Sequence, residues 1–85
     1  MAADTHERTY AITKRLAVTG AVLDLRDSRG VYPRAIFLDA AGEITGTAVD
    51  ETEAQAQTFA AGMWHPTAFK SISSIGSATG VKVGW

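Results

Sequence analysis

The chain has 85 residues, with eight Lys and Arg against nine Asp and Glu, two His, no Cys and a net charge of −1. That length holds one small domain, and the composition excludes a disulfide scaffold and a strongly basic nucleic-acid binder. Of 39 apolar residues 15 are Ala, so 24 larger side chains must build the core, and self-association or a larger partner is expected to supplement it.

Turn signals are dense and the segments between them short, which predicts an all-β domain: a small antiparallel β-sandwich or barrel with an irregular N-terminal arm. Residues 1–30 are expected to form the arm and an edge segment, and residues 31–85 the β-domain. Asp4-Thr5-His6-Glu7 has capping-box spacing, but Tyr10, Ile12, Leu16 and Val18 fit a period of two at least as well as a helical face. An extended arm or edge strand is expected there, with one or two strands around Gly20. The apolar stretch behind Lys14-Arg15 is interrupted by Thr19 and Gly20 and closed by Asp24, Arg26, Asp27 and Arg29, so no secretory leader is expected. No run approaches the roughly 18 apolar residues that would span a bilayer. Asp27-Ser28-Arg29-Gly30 reads as a loop.

Strands are expected over residues 34–39, 43–47, 57–60, 69–75 and 80–85. The first contains the continuous apolar run Ala35-Ile36-Phe37-Leu38, which places it inside a sheet with both faces covered. Ala40-Ala41-Gly42 is expected to make a hairpin into the second strand, with Gly42 at positive φ. Residues 50–57 contain good helix formers but no large apolar anchor, and read as a long loop or a single frayed turn leading into a strand with Phe59 inward. Met63-Trp64-His65-Pro66 forms an apolar corner. In the last third Phe69, Ser71, Ser73 and Ile75 alternate with Lys70, Ile72 and Ser74. Gly76-Ser77-Ala78-Thr79-Gly80 then turns the chain into Val81, Val83 and Trp85, and this unit is expected to be a second hairpin.

Catalytic constellations are not expected. His6 and His65 are the only His bases and neither has a nucleophile motif beside it. Asp50, Glu51 and Glu53 share one polar loop with no apolar wall to separate their pKa values. The two His have no metal-ligand spacing, so neither metal nor cofactor is expected. The Gly76 to Gly80 turn lacks a P-loop Lys and leads into a strand, so it is not a phosphate cradle. Arg8, Lys14, Arg15, Arg26, Arg29 and Arg34 with Tyr10 and Tyr32 suggest a single-strand nucleic-acid surface, but four acidic residues share that segment and the pI is near 6.0. Tyr32, Trp64 and Trp85 are better explained as protein interface anchors.

Charge is unevenly spread. Residues 1–34 carry six basic and four acidic groups, residues 35–69 five acidic and no basic, and residues 70–85 two basic. Such polarity suits head-to-tail contact between copies, although ordinary solvated loops around Asp50-Glu51-Thr52-Glu53 account for it more simply.

From Pro33 onward the order of features resembles the spike base proteins of gene transfer agents and related tailed phages. Arg34-Ala35-Ile36-Phe37-Leu38 is similar to that family's Arg-Ala-aliphatic strand, followed by the Gly42 turn and by Thr58-Phe59-Ala60-Ala61-Gly62 with Pro66 shortly after. Ile72 through Gly76-Ser77-Ala78-Thr79-Gly80-Val81 resembles its closing Gly-Thr-Thr-Ala hairpin. The likeness covers about 53 residues; Ser77 replaces a Thr, Trp64-His65 an aliphatic pair, and the first 30 residues match nothing in the pattern. It implies a non-enzymatic virion protein, made in the bacterial cytoplasm, that forms a ring, a homopentamer, on capsid vertices. The expected partners are the major capsid protein below and a spike fibre protein above, with no membrane and no nucleic acid. Arg34, Gly42, Gly62, Pro66, Gly76 and Gly80 are the motif positions it marks.

Overall fold

The computed structural model describes residues 12–85, so the capping-box stretch with His6, and Arg8 and Tyr10, lie outside the described residues. Seven strands follow one another: β1 (Arg15–Val18), β2 (Ala35–Phe37), β3 (Gly42–Ala48), β4 (Gln55–Phe59), β5 (Trp64–His65), β6 (Phe69–Ser74) and β7 (Val81–Gly84). All pairings are antiparallel, in a four-stranded sheet of order β1-β7-β2-β5 and a three-stranded sheet of order β4-β3-β6. Val18, Ile36, Val81 and Val83 of the first sheet meet Ile44, Phe59, Phe69 and Ile72 of the second in one buried cluster. The chain is therefore a small all-β sandwich, as its turn density predicts.

Each strand's sequence explains its place. Ala35, Ile36 and Leu38 are buried and Phe37 half-buried, which fits a strand enclosed between β7 and β5. Ile36 lies opposite Val83, so the two central strands put branched side chains side by side on the core face. Strand β6 departs from the expected alternation. Phe69 and Ile72 are three apart, yet both are buried. Its register against β3 skips Lys70 and Ser73, and the irregularity at Lys70, between Phe69 and Ile72, brings both apolar side chains to the core.

Neither expected hairpin exists. The chain leaves β2 in the first sheet and enters β3 in the second, and it leaves β6 in the second sheet and enters β7 in the first. Both turns are crossings between sheets, and they lie against each other: Asp39 and Ala40 N–H both donate to the Thr79 carbonyl, at 3.0 and 3.2 Å. Gly42 does not have positive φ. It is needed for space, because a Cβ there would lie 2.8 Å from the Cβ and backbone nitrogen of buried Ala78. Gly80, at φ 60°, meets both demands, since a Cβ on it would fall on the Asp39 carboxylate. Sequence spacing shows where a chain turns, but the contact of one turn with another decides which sheet receives the next strand.

Residues 12–30 contribute to both sheets. β1 pairs with β7 over four residues, and the segment 22–25 runs beside β6 through Val22 N–H to Ile72 O at 2.8 Å, Ile72 N–H to Val22 O at 2.9 Å and Leu25 N–H to Lys70 O at 3.0 Å. Val18 and Leu25 are core residues.

Candidate interaction face on the four-stranded sheet

Alternation turns Trp64, Phe37 and Lys82 into one outward row across β5, β2 and β7, and on β1 Ala17 continues that row while Arg15 lies two residues along, opposite Gly84. Phe37 on β2 lies opposite both Lys82 on β7 and Trp64 on β5. Its ring centroid is 5.4 Å from that of Trp64, with the planes tilted by 50°. Lys82 Nζ stands 5.3 Å from the Phe37 centroid and 3.6 Å from Asp39 Oδ1. Arg15, from β1, completes a shallow pocket of about 260 Å³ with Phe37, Trp64 and Lys82. Trp64 can lie down on the sheet because residue 84 is Gly; a Cβ there would sit 2.9 Å from the indole and 2.6 Å from Ile12 Cγ2.

The chemistry of this face follows from its composition. Two half-buried aromatic rings offer apolar area, and two cations stand beside them, with Asp39 the one carboxylate in contact among the described residues. The Lys82–Asp39 pair is too exposed and too long to contribute more than a few tenths of a kcal/mol. Such a surface offers apolar area beside positive charge. Among the described residues no group of three or more His, Asp or Glu is placed to hold a metal.

Trp85 is not on this face. It is 6% exposed, belongs to the core cluster of its own chain, and donates its indole N–H to the Val31 carbonyl at 2.7 Å. The expectation of an exposed anchor is corrected for Trp85, whereas Trp64 and Tyr32 are half-buried. The loop that holds Trp85 is itself tied by Asp27. The Asp27 carboxylate accepts N–H bonds from Val31 at 3.0 Å and from Arg29 at 2.9 Å, and Arg29 Nη2 approaches it to 2.8 Å. The Val31 N–H, followed by the Arg29 contacts, holds the Asp27 carboxyl down at about 2. Asp24 is likewise held at about 2, mainly by the Arg26 guanidinium, and Arg26 also stands 5.9 Å from the Tyr32 ring. Arg26 and Arg29 are thus each paired with a carboxylate of their own loop, which balances their charge locally while both side chains stay exposed.

The positions singled out by the resemblance do not gather at one site. Arg34 is exposed ahead of β2, with its N–H donating to Gly84 O at 2.8 Å. Gly62 at φ 79° donates to Leu38 O at 2.8 Å, Pro66 is exposed after β5, and Gly76 at φ 54° and Gly80 bracket the crossing into β7. They shape turns. His65 packs edge-on against Phe59 at 4.9 Å, and its Nε2 lies 2.8 Å from Ala60 O. Of the loop expected over residues 50–57, only residues 50–54 lie outside a strand, since β4 begins at Gln55; there Glu51 accepts from Ala48 N–H at 3.2 Å. Arg15, Phe37 and Lys82 were not legible as one site, because only the strand order β1-β7-β2-β5 brings positions 15, 37, 64 and 82 together. The one available signal was the outward place of Lys82 between Val81 and Val83. A second, largely apolar pocket of about 310 Å³ opens between Val18, Ile75, Ala78 and Val81.

No helix among the described residues is long and apolar enough to cross a membrane. No family model matches the chain, and neither a curated protein nor a solved structure matches it.

Proposed function

We propose that the chain is a structural virion protein, the ring-forming base of a head spike that docks on capsid vertices and anchors a fibre. It acts without catalysis, and its partners are further copies of itself, a homopentamer, with the major capsid protein beneath and a spike fibre protein above. The observation that carries the reading is the separation of complementary surfaces. Arg15 and Lys82 stand with Phe37 and Trp64 on one sheet, and Asp50, Glu51 and Glu53 stand exposed on a loop of the other. A surface whose complement lies elsewhere on the same molecule joins head to tail, and head-to-tail contacts close into rings when the rotation permits. The thin core of an 85-residue chain rich in Ala, and the likeness of residues 33–85 to spike base proteins, support the same conclusion.

Immunogold labelling of purified particles tests the location, with label expected at head vertices; label at the tail points instead to a tail component, and an even coat over the head to a decoration protein. Native mass spectrometry tests the ring, with five copies expected. The Phe37–Trp64 pair beside Arg15 and Lys82 also favours one second reading, a platform on which single-stranded nucleic acid stacks. Binding of a labelled oligonucleotide with a steep salt dependence would establish that function in place of the first.

A further inference from the structure

We infer that copies of this chain join by strand addition, with β1 of one copy pairing in parallel with the open edge of β4 in the next. This rests on the self-assembly proposed above and assigns its contact. Two sheets have four terminal strands, and two of these are closed to partners. β6 is covered by residues 22–25, and β5 is only two residues long and runs into Pro66. β4 is different. It keeps an unbroken register with β3 over five pairs, its residues Gln55, Ala56, Gln57 and Thr58 are all exposed, and it contains no charge, Pro, Gly or bulge. Those are the devices by which proteins ordinarily blunt a sheet edge. β1 pairs only with β7, and its other edge has no backbone partner among the described residues.

The two open edges lie on opposite flanks. β4 and β5 are the adjacent ends of the two sheets, linked by residues 60–63 and by the Phe59–His65 contact at 4.9 Å. β1 ends the first sheet on the other side, and the chain passes directly from it to the segment that covers β6. A β1-to-β4 junction is therefore heterologous and repeats around a ring.

Charge selects the occupant and its direction. Lys14 and Arg15 open β1, whereas Asp50, Glu51 and Glu53 precede β4; all five are exposed and none has an ion-pair partner among the described residues. Parallel pairing sets the two beginnings side by side, with Arg15 beside Gln55 and Leu16 beside Ala56. Antiparallel pairing carries Lys14 and Arg15 to the uncharged Phe59 end. Exposed ion pairs are individually weak, so the backbone bonds hold the junction and the charges fix its polarity.

Engineered cysteines test the inference cleanly, because the chain has none of its own. Leu16 and Ala56 are both exposed, so Leu16→Cys with Ala56→Cys leaves the fold intact. Mild oxidation of the assembled double variant is expected to give a covalent ladder ending at the ring number, with neither single variant giving one. Arg15→Glu is expected to weaken assembly at least tenfold at low salt, and adding Glu53→Arg to restore it, with unchanged circular dichroism throughout. Rings that sediment normally without the ladder, or a dimer from Ala56→Cys alone, overturn the junction and leave self-assembly standing. A wild-type chain that stays monomeric at high micromolar concentration overturns both.

Discussion

The two tryptophans lie on opposite sides of the four-stranded sheet and differ in everything but residue type. Trp85 is closed into the core with its N–H bound to Val31 O, and the loop that offers this carbonyl is fixed by Asp27. Trp64 rests on the outer face over Gly84 and against Phe37, half-buried. The contrast teaches that an aromatic ring is assigned to the core or the surface by whether its polar edge finds a partner inside. A buried indole N–H without an acceptor would cost about 1–3 kcal/mol, and the 27–31 loop removes that cost at Trp85 alone.

The largest expected effect breaks the buried side. Trp85→Ala should cost about 3–5 kcal/mol in denaturant unfolding, and Trp85→Phe, which keeps most of the packing, about 1–2 kcal/mol. A loss under about 1 kcal/mol for Trp85→Ala would show that Trp85 is not an internal anchor. Next, Gly84→Ala places a methyl where the Trp64 indole and Ile12 now lie, and should cost about 1–3 kcal/mol while lifting Trp64 from the sheet. In a Trp85→Phe background the lift reads out as a red shift of Trp64 fluorescence; unchanged emission would mean that Gly84 does not seat the ring.

Trp64→Ala sharpens the comparison from the other side. It should cost the monomer no more than about 1 kcal/mol but weaken self-association by about 2 kcal/mol, seen in sedimentation velocity. Equal losses in both measurements would erase the distinction between the tryptophans. The smallest effect is that of pH. Asp27 is held at about 2 in the folded chain, against about 3.9 for an unperturbed Asp. A lowered carboxyl pKa stabilises the fold fully above the unfolded value, and that contribution disappears as pH falls from about 4 through about 2. An NMR titration of the Asp27 carboxyl should show a midpoint near 2, and Asp27→Asn should flatten the decline of Tm across that interval. A midpoint near 4 would separate the loop from the seating of Trp85.

Much of the fold was open to sequence inspection, for local reasons. A continuous Ala35-Ile36-Phe37-Leu38 run can only be satisfied between neighbours, and β2 sits second from the sheet's end. The polar stretch before Phe59 had nothing to bury and reads as loop up to residue 57, yet the strand already begins at Gln55 as an exposed edge with Phe59 alone inside. Alternation in β7 was correct because its partners on both sides are regular. It failed in β6, where skipped residues Lys70 and Ser73 altered the period. The candidate face was not legible, since cross-strand neighbours depend on strand order, which no local pattern encodes.

Strand content, the places where the chain turns and the inward positions of β2 and β7 were determined by the sequence itself, because backbone stiffness at Gly and Pro and a two-residue side-chain period act within a few residues. The tertiary structure alone decided which sheet each strand joins, that Gly42 serves space rather than φ, that Trp85 is internal, and that Arg15, Lys82, Phe37 and Trp64 share a surface. The reason is common to all four: each depends on contact between segments such as residues 39–42 and 78–80, or 27–31 and 85, whose attraction is set by fit and hydrogen bonding at a distance in sequence that composition and spacing do not register.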